Sequence, residues 1–332
     1  FGAVRDRMRA VLFEGMDAER ARIAYAMLTG DSGLIDEGML DSFRYGGVAH
    51  VFAVSGLHIG VVYGLIAFPL RKWRAKGAVR LPIVAAVLLF YAGVCGFSPS
   101  SVRALVMCLA LALADACGMK YDALHSVSLA ALLVMLVNPV YFFQVGFRLS
   151  VAAAGGIIVT GGALSRLFAR IRRMPRKLSS AIAVSLSAQL ATFPILLDAF
   201  GYVSVLSLFL NLIFVPLISF VYAVLFVCAL IACLFPFGAG VLLWVPEWML
   251  VLAQTPVLAF DWRAGLICGF VFGGAAVLWF LTLFVLSDKV NLRALPRCAL
   301  ALALTAAMTV SMLAGNGAFA GTILRLYARY GT

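Results

Sequence analysis

HVFAVSGLHIG, residues 50–60, is the stretch on which the reading of this chain turns. It stands where a charge-bearing N-terminal segment gives way to a succession of apolar runs. It holds two of the chain's three histidines, with Ser55, Gly56 and Gly60. Inside lipid each unpaired polar group costs several kcal/mol. The stretch therefore specifies something besides a plain membrane crossing.

Outward from it, the class follows from composition. Of 332 residues, 64% are hydrophobic and 12% charged, and the mean hydropathy is +1.07. That much apolar surface excludes a soluble domain, and continuous apolar runs exclude the ten-residue alternation of a β-barrel. The expected fold is all-α: a polytopic transmembrane helical bundle of about nine to ten spans. They are placed at 48–70, 81–94, 101–117, 124–137, 145–164, 178–197, 203–234, 241–260, 265–286 and 298–315. Several fall short of the ~20 residues a straight crossing needs. Short, Gly/Pro-interrupted segments line sites in transporters, and 81–94 with 101–117 could be a broken pair meeting at 93–99. The run 203–234 is too long for one straight helix and contains Pro216, which predicts a kink or a helix–turn–helix. Pro246, Glu247 and Pro256 make 241–260 the least regular span.

Net charge is +12, with five cations in 71–80 and six in 166–177. Clusters in short loops between spans are what the positive-inside rule produces. They place both loops, and 289–297, in the cytoplasm, with four crossings between the first two clusters, and four between the second and third only if 241–260 crosses. Residues 1–47, with six Lys/Arg and eight Asp/Glu, read as an amphipathic, extracytoplasmic segment lying on the membrane or on the bundle. It has helical periodicity over 4–28 and a polar turn at 30–33. Residues 48–315 form the membrane domain and 316–332 an extracytoplasmic tail. The seven cysteines lie singly in apolar runs without a CxxC, as small core residues. No metal site or cofactor is expected. The chain starts at Phe1, and an excerpt of a longer protein is expected.

The polar residues inside the runs are the candidate site. On one helix His50 and His58 would lie about 80° apart and ~12 Å along the axis. They could share a ligand only if the helix broke, which Gly56 permits. Ser55 and His58 would share a face. In GFSPSSVRALVM, residues 96–107, Ser98, Ser100 and Ser101 offer N-cap oxygens and Pro99 suits a helix start. Arg103 then opposes the helix dipole, so helix stability does not explain it. An intramembrane Arg points to a partner or a pathway. NPVYFFQVGFRLSVAAAGG, 138–156, places Gln144 and Arg148 on one face, and Ala152, Gly155 and Gly156 allow close helix contact. Gln189 and Asp198 lie in SAQLATFPILLDAFG, 187–201, and Asn211 and Pro216 in the run that follows.

These blocks, with LTGDSGLIDEGMLDSFRYGG before the histidine stretch, occur in an order that resembles the ComEC family of bacterial competence proteins. The resemblance covers roughly residues 28–216. It implies a channel in the bacterial cytoplasmic membrane that passes single-stranded DNA inward during natural transformation, not an enzyme. It carries over His50, Ser55, Gly56, His58, Arg103, Arg148, Gln189 and Asn211 as motif positions lining the DNA path. Its implied partners are the lipid bilayer, a DNA receptor and a cytoplasmic helicase or motor. Full-length members add an OB-like and a metallo-β-lactamase-like domain. This chain has no HxHxDH run, so the nuclease-like domain is not expected in it. One subunit or a homodimer could enclose the path.

Such a path needs a hydrated lumen and cations that grip phosphate weakly. Arg103 and Arg148 are the candidates, and Tyr91 and Phe97 either stack on bases or pack in the core. Two other readings remain open. A secondary transporter of a small solute or ion also uses broken helices and buried Arg. A rhomboid-like intramembrane protease would pair Ser55 with a histidine such as His125.

Overall fold

The computed structural model describes residues 1–52, 55–171, 175–204, 206–260, 266–268, 273–287, 300–301 and 303–304. Twelve α-helices are found among them: α1 Gly2–Gly15, α2 Ala18–Thr29, α3 Glu37–Tyr45, α4 Gly56–Lys72, α5 Gly77–Val94, α6 Pro99–Ala116, α7 Ala123–Val137, α8 Val145–Ala169, α9 Arg176–Phe200, α10 Ser207–Leu234, α11 Ala239–Ala259 and α12 Gly273–Leu286. Six are long and apolar enough to cross a membrane: α5, α6, α8, α9, α10, and α11 together with the turn before it. Helices α4, α7 and α12, of 17, 15 and 14 residues, are shorter. The expected span 298–315 and the loop 289–297 lie almost wholly outside the described residues, and the tail 316–332 entirely so.

Contacts divide the chain into two compact units, Phe1–Ser150 with Leu206–Gly265, and Val151–Val205 with Leu266–Thr332. In the first unit the periodicity over 4–28 is two helices, because Asp17 caps α2 by accepting from the N–H of Glu19. The polar turn is present: Gly30 takes φ 79° at the end of α2, and Asp31 Oδ1 accepts from the N–H of Gly33, 3.1 Å. Of the two placements open to residues 1–47, the structure selects the bundle. Helix α2 is buried from Ile23 to Thr29, in one core with Leu225 of α10 and Leu243 and Leu250 of α11.

Helix α11 is continuous through Pro246 and Pro256. Its Glu247 accepts from the N–H of Asp17, 3.0 Å, with Arg20 at 3.9 Å. A carboxylate in a span needs such partners. Of the two alternatives expected for 203–234, the structure removes the helix–turn–helix: α10 is a single helix of 28 residues with Pro216 inside it, preceded by a strand. In an apolar surrounding, a full break would strand several backbone groups where Pro216 strands one.

Arg5 Nε donates to the C=O of Val94, 2.6 Å, and Arg7 Nε to that of Cys233, 3.4 Å. Tyr91 contacts Phe226 edge-on at 5.4 Å. The ends of α5 and α10 thus both lead to the same stretch of α1. Helix α7, at about 22 Å, is shorter than the ~30 Å hydrocarbon core.

In the second unit, α9 packs on the later part of α8. A β-carbon on Gly156 would strike Ala191 and stand 2.9 Å from the C=O of Ser187. Gly156 thus provides the close contact expected of it. Gly155 faces open space. Trp279 Nε1 of α12 donates to the C=O of Leu190, 2.7 Å. Strands β1, Tyr202–Ser204, and β2, Leu266–Cys268, pair antiparallel with Val203 opposite Ile267.

Candidate functional site

The start of α4 is set by local chemistry. Residues Ala49–Val51 form a 3₁₀ turn, and α4 begins only at Gly56. The span expected from 48 is therefore broken, as Gly56 permits, and His50 and His58 occupy different elements. Ser55 is the N-cap: its Oγ accepts from the N–H of Leu57, 3.3 Å, while Nδ1 of His58 accepts from the N–H of Ser55, 3.4 Å. The Ser55–His58 spacing thus makes a reciprocal cap, satisfying two helix-end donors.

The start of α6 is built as the sequence predicts. Gly96 and Phe97 take φ of 70° and 49° in the turn from α5. Ser98 caps the helix by accepting from the N–H of Ser101, 3.3 Å, with Pro99 as the first helical residue. Arg103 follows one turn on and is 7% exposed. Its Nε donates to Ser150 Oγ, 2.8 Å, and its Nη1 to Met107 Sδ, 3.3 Å. Ser150 Oγ also bonds Ser100 Oγ, 2.9 Å. A β-carbon on Gly56 would stand 3.1 Å from Arg103 Nη2. So the N-termini of α4 and α6 and the second turn of α8 meet around one guanidinium. Both α4 and α6 turn their positive dipole ends toward that place, which favours an anion.

Behind it runs a buried polar chain. His58 is fully buried, and its ring stacks on Tyr222 with centroids 4.3 Å apart. Tyr222 and Tyr91 bond through their hydroxyls. Tyr91 donates to the C=O of Leu28, 2.9 Å, so Tyr222 is the donor between the two tyrosines. This chain links α4, α10, α5 and α2. Nε2 of His58 has no hydrogen-bond partner among the described residues.

The remaining candidates are dispersed. His50 is exposed. Arg148 is half-buried, two residues before Ser150 on α8. Asn211 is half-buried in the second turn of α10, its Oδ1 without a hydrogen-bond partner among the described residues. Gln189 belongs to the other unit, where its Nε2 donates to the C=O of Ser204, 3.0 Å. Tyr91 is 4% exposed, so it packs in the core and does not stack on bases. Phe97 is 43% exposed and meets Phe1 edge-on. The histidine of the protease reading, His125, is 84% exposed and pairs with Asp122, 2.9 Å. The N–H and ring of His125 hold the Asp122 carboxyl below the usual carboxylate range. Ser150 and Tyr222 carried no sequence signal beyond a polar group in an apolar run; that signal was present at both.

Residues 27–287 match the Competence protein family. The chain belongs to that family. The matched stretch contains every residue of the junction around Arg103 and of the tyrosine–histidine chain. Two relatives align with this Competence-family chain. It is 30% identical over 202 residues to ComE operon protein 3 of Bacillus subtilis (strain 168), covering 60% of this chain and 25% of that protein. It is 24% identical over 192 residues to the uncharacterized protein YcaI of Escherichia coli (strain K12), covering 56% and 26%. The alignment thus spans about a quarter of each relative's length. No solved structure matches.

Proposed function

We propose that this chain lines a path by which single-stranded DNA crosses the bacterial cytoplasmic membrane during natural transformation, conducting the strand without cleaving it. Membership of the Competence protein family and six crossing-length helices support this reading. The observation that carries it is Arg103. This guanidinium is held by a hydroxyl and a thioether, and no carboxylate pairs with it among the described residues. A buried cation with neutral partners keeps its charge for a passing anion. The dipole ends of α4 and α6 add to the same field. One such contact grips a phosphate without trapping it. The DNA receptor, the cytoplasmic motor and the OB-like and metallo-β-lactamase-like domains belong to the same proposal, as partners of the channel.

The test is transformation by cells carrying Arg103→Ala or Arg103→Lys, with membrane abundance measured alongside. Losing one charge-assisted contact of about 1.5–3 kcal/mol lowers uptake roughly tenfold to a hundredfold in Arg103→Ala. Arg103→Lys retains part of it. Unchanged uptake at normal abundance rejects the reading. Tight, salt-insensitive binding of one small solute would select the transporter reading, since sequence-blind strand binding weakens steeply with salt.

A further inference from the structure

The junction of α4 and α5, from the last turn of α4 to the first turn of α5, bears a second concentration of positive charge, away from Arg103. Residues 71–80 carry Arg71, Lys72, Arg74, Lys76 and Arg80. Asp115, near the end of α6, accepts from Arg71 Nε and Nη2, 3.1 and 2.9 Å, and from Arg80. It is the carboxylate that pairs with this loop among the described residues. Among the described residues, that carboxylate pairs with two of the five cations.

The loop is also held in one shape. A β-carbon on Gly77 would come to 2.8 Å from Cα and C=O of Ala116, so the start of α5 lies hard against the end of α6. Arg74 sits at φ 55°, with its N–H on the C=O of Arg71, 2.9 Å, and that of Ala75 on Leu70, 3.0 Å. This is the left-handed helix-ending position that glycine fits without strain. An arginine held there points to a use for its side chain. Beside it Trp73 is 77% exposed and Phe68 71%. An exposed indole among cations, at the polar end of apolar helices, is the pattern of a membrane interface.

We propose that residues 71–80 form a headgroup site for an anionic phospholipid. Arg71 and Arg80 hold the scaffold through Asp115. Lys72, Arg74 and Lys76 face the phosphate, and Trp73 enters the boundary between headgroup and acyl chain. Anionic headgroups supply phosphate at the depth where the apolar helices end, and each Lys or Arg near such a surface adds to the attraction.

The experiment uses the full chain in detergent with mixed phosphatidylglycerol and phosphatidylcholine, with retained lipid counted by native mass spectrometry. Arg74→Gln/Lys76→Gln is compared with the parent. Two charges removed should weaken phosphatidylglycerol retention about thirty-fold. Phosphatidylcholine retention and the melting temperature without lipid should stay unchanged, because neither side chain holds another helix. Equal phosphatidylglycerol retention in variant and parent overturns the proposal. So does displacement of the lipid by oligodeoxythymidine, which would make the loop a nucleic-acid contact.

Discussion

Gly56 stands directly against Arg103. A β-carbon at Gly56 would lie 3.1 Å from the guanidinium Nη2 and 3.6 Å from Cβ of Ala104. A side chain at the first residue of α4 would therefore press on the guanidinium, which must give by a few tenths of an ångström.

Gly56→Ala should therefore displace the guanidinium by a few tenths of an ångström without unfolding α4. Alanine is itself up to about 1 kcal/mol better than glycine in a helix, so stability should hardly change. Transformation frequency should fall toward that of Arg103→Ala. Normal uptake in Gly56→Ala would show that the position of the guanidinium does not matter.

The tyrosine pair predicts an order of stabilities. Tyr222→Phe removes one hydroxyl and one hydrogen bond, a loss of about 1 kcal/mol. Tyr91→Phe should cost more, because it takes the donor from Leu28 and the acceptor from Tyr222 together. Tyr222→Ala also removes the ring under His58 and opens a cavity, a loss of about 3–5 kcal/mol. Thermal unfolding in one detergent would rank the three, and the reverse order of the two phenylalanine variants would contradict the two hydrogen bonds assigned to Tyr91.

The two arms of Asp115 differ in burial, with side-chain exposures of 47% for Arg71 and 13% for Arg80. Solvent screens the first pair, so Arg71→Gln should cost less than about 1 kcal/mol. Arg80→Gln removes a better shielded charged hydrogen bond, a loss of about 1.5–3 kcal/mol. Raising salt to 1 M should shrink the Arg71 effect first. Equal losses for the two variants would mean that exposure does not control the pairing.

The meeting of the ends of α5 and α10 with α1 predicts a labelling pattern. Phe97 follows α5 and Phe235 follows α10, and both are exposed. In a cysteine-free background, Phe97→Cys and Phe235→Cys should react with a membrane-impermeant maleimide from the same face of intact cells or inverted vesicles. Labelling from opposite faces would contradict the common contact of the two helix ends with α1.

The helices themselves were legible in the sequence. Long apolar runs, Ser98 with Pro99, and the glycines at 30 and 96 are local signals, acting through backbone geometry within a few residues. They placed α5, α6, α7, α9 and the start of α6 to within a few residues. The burial of α2 was not legible. Its helix-forming pattern is compatible with a surface position, and only packing against α10 and α11 decides otherwise. The candidate site divides in the same way. That Arg103 and His58 were costly where they stood could be read from composition alone. That Arg103 meets Ser150 and Gly56, that His58 meets Tyr222, and that Gln189 belongs elsewhere depended on how the helices assemble. In an apolar chain, core-facing and lipid-facing positions share one hydropathy, so no periodic pattern marks which faces meet. The meeting points are set by small residues, buried hydroxyls and side-chain shape across helices far apart in sequence, which only the tertiary structure brings together.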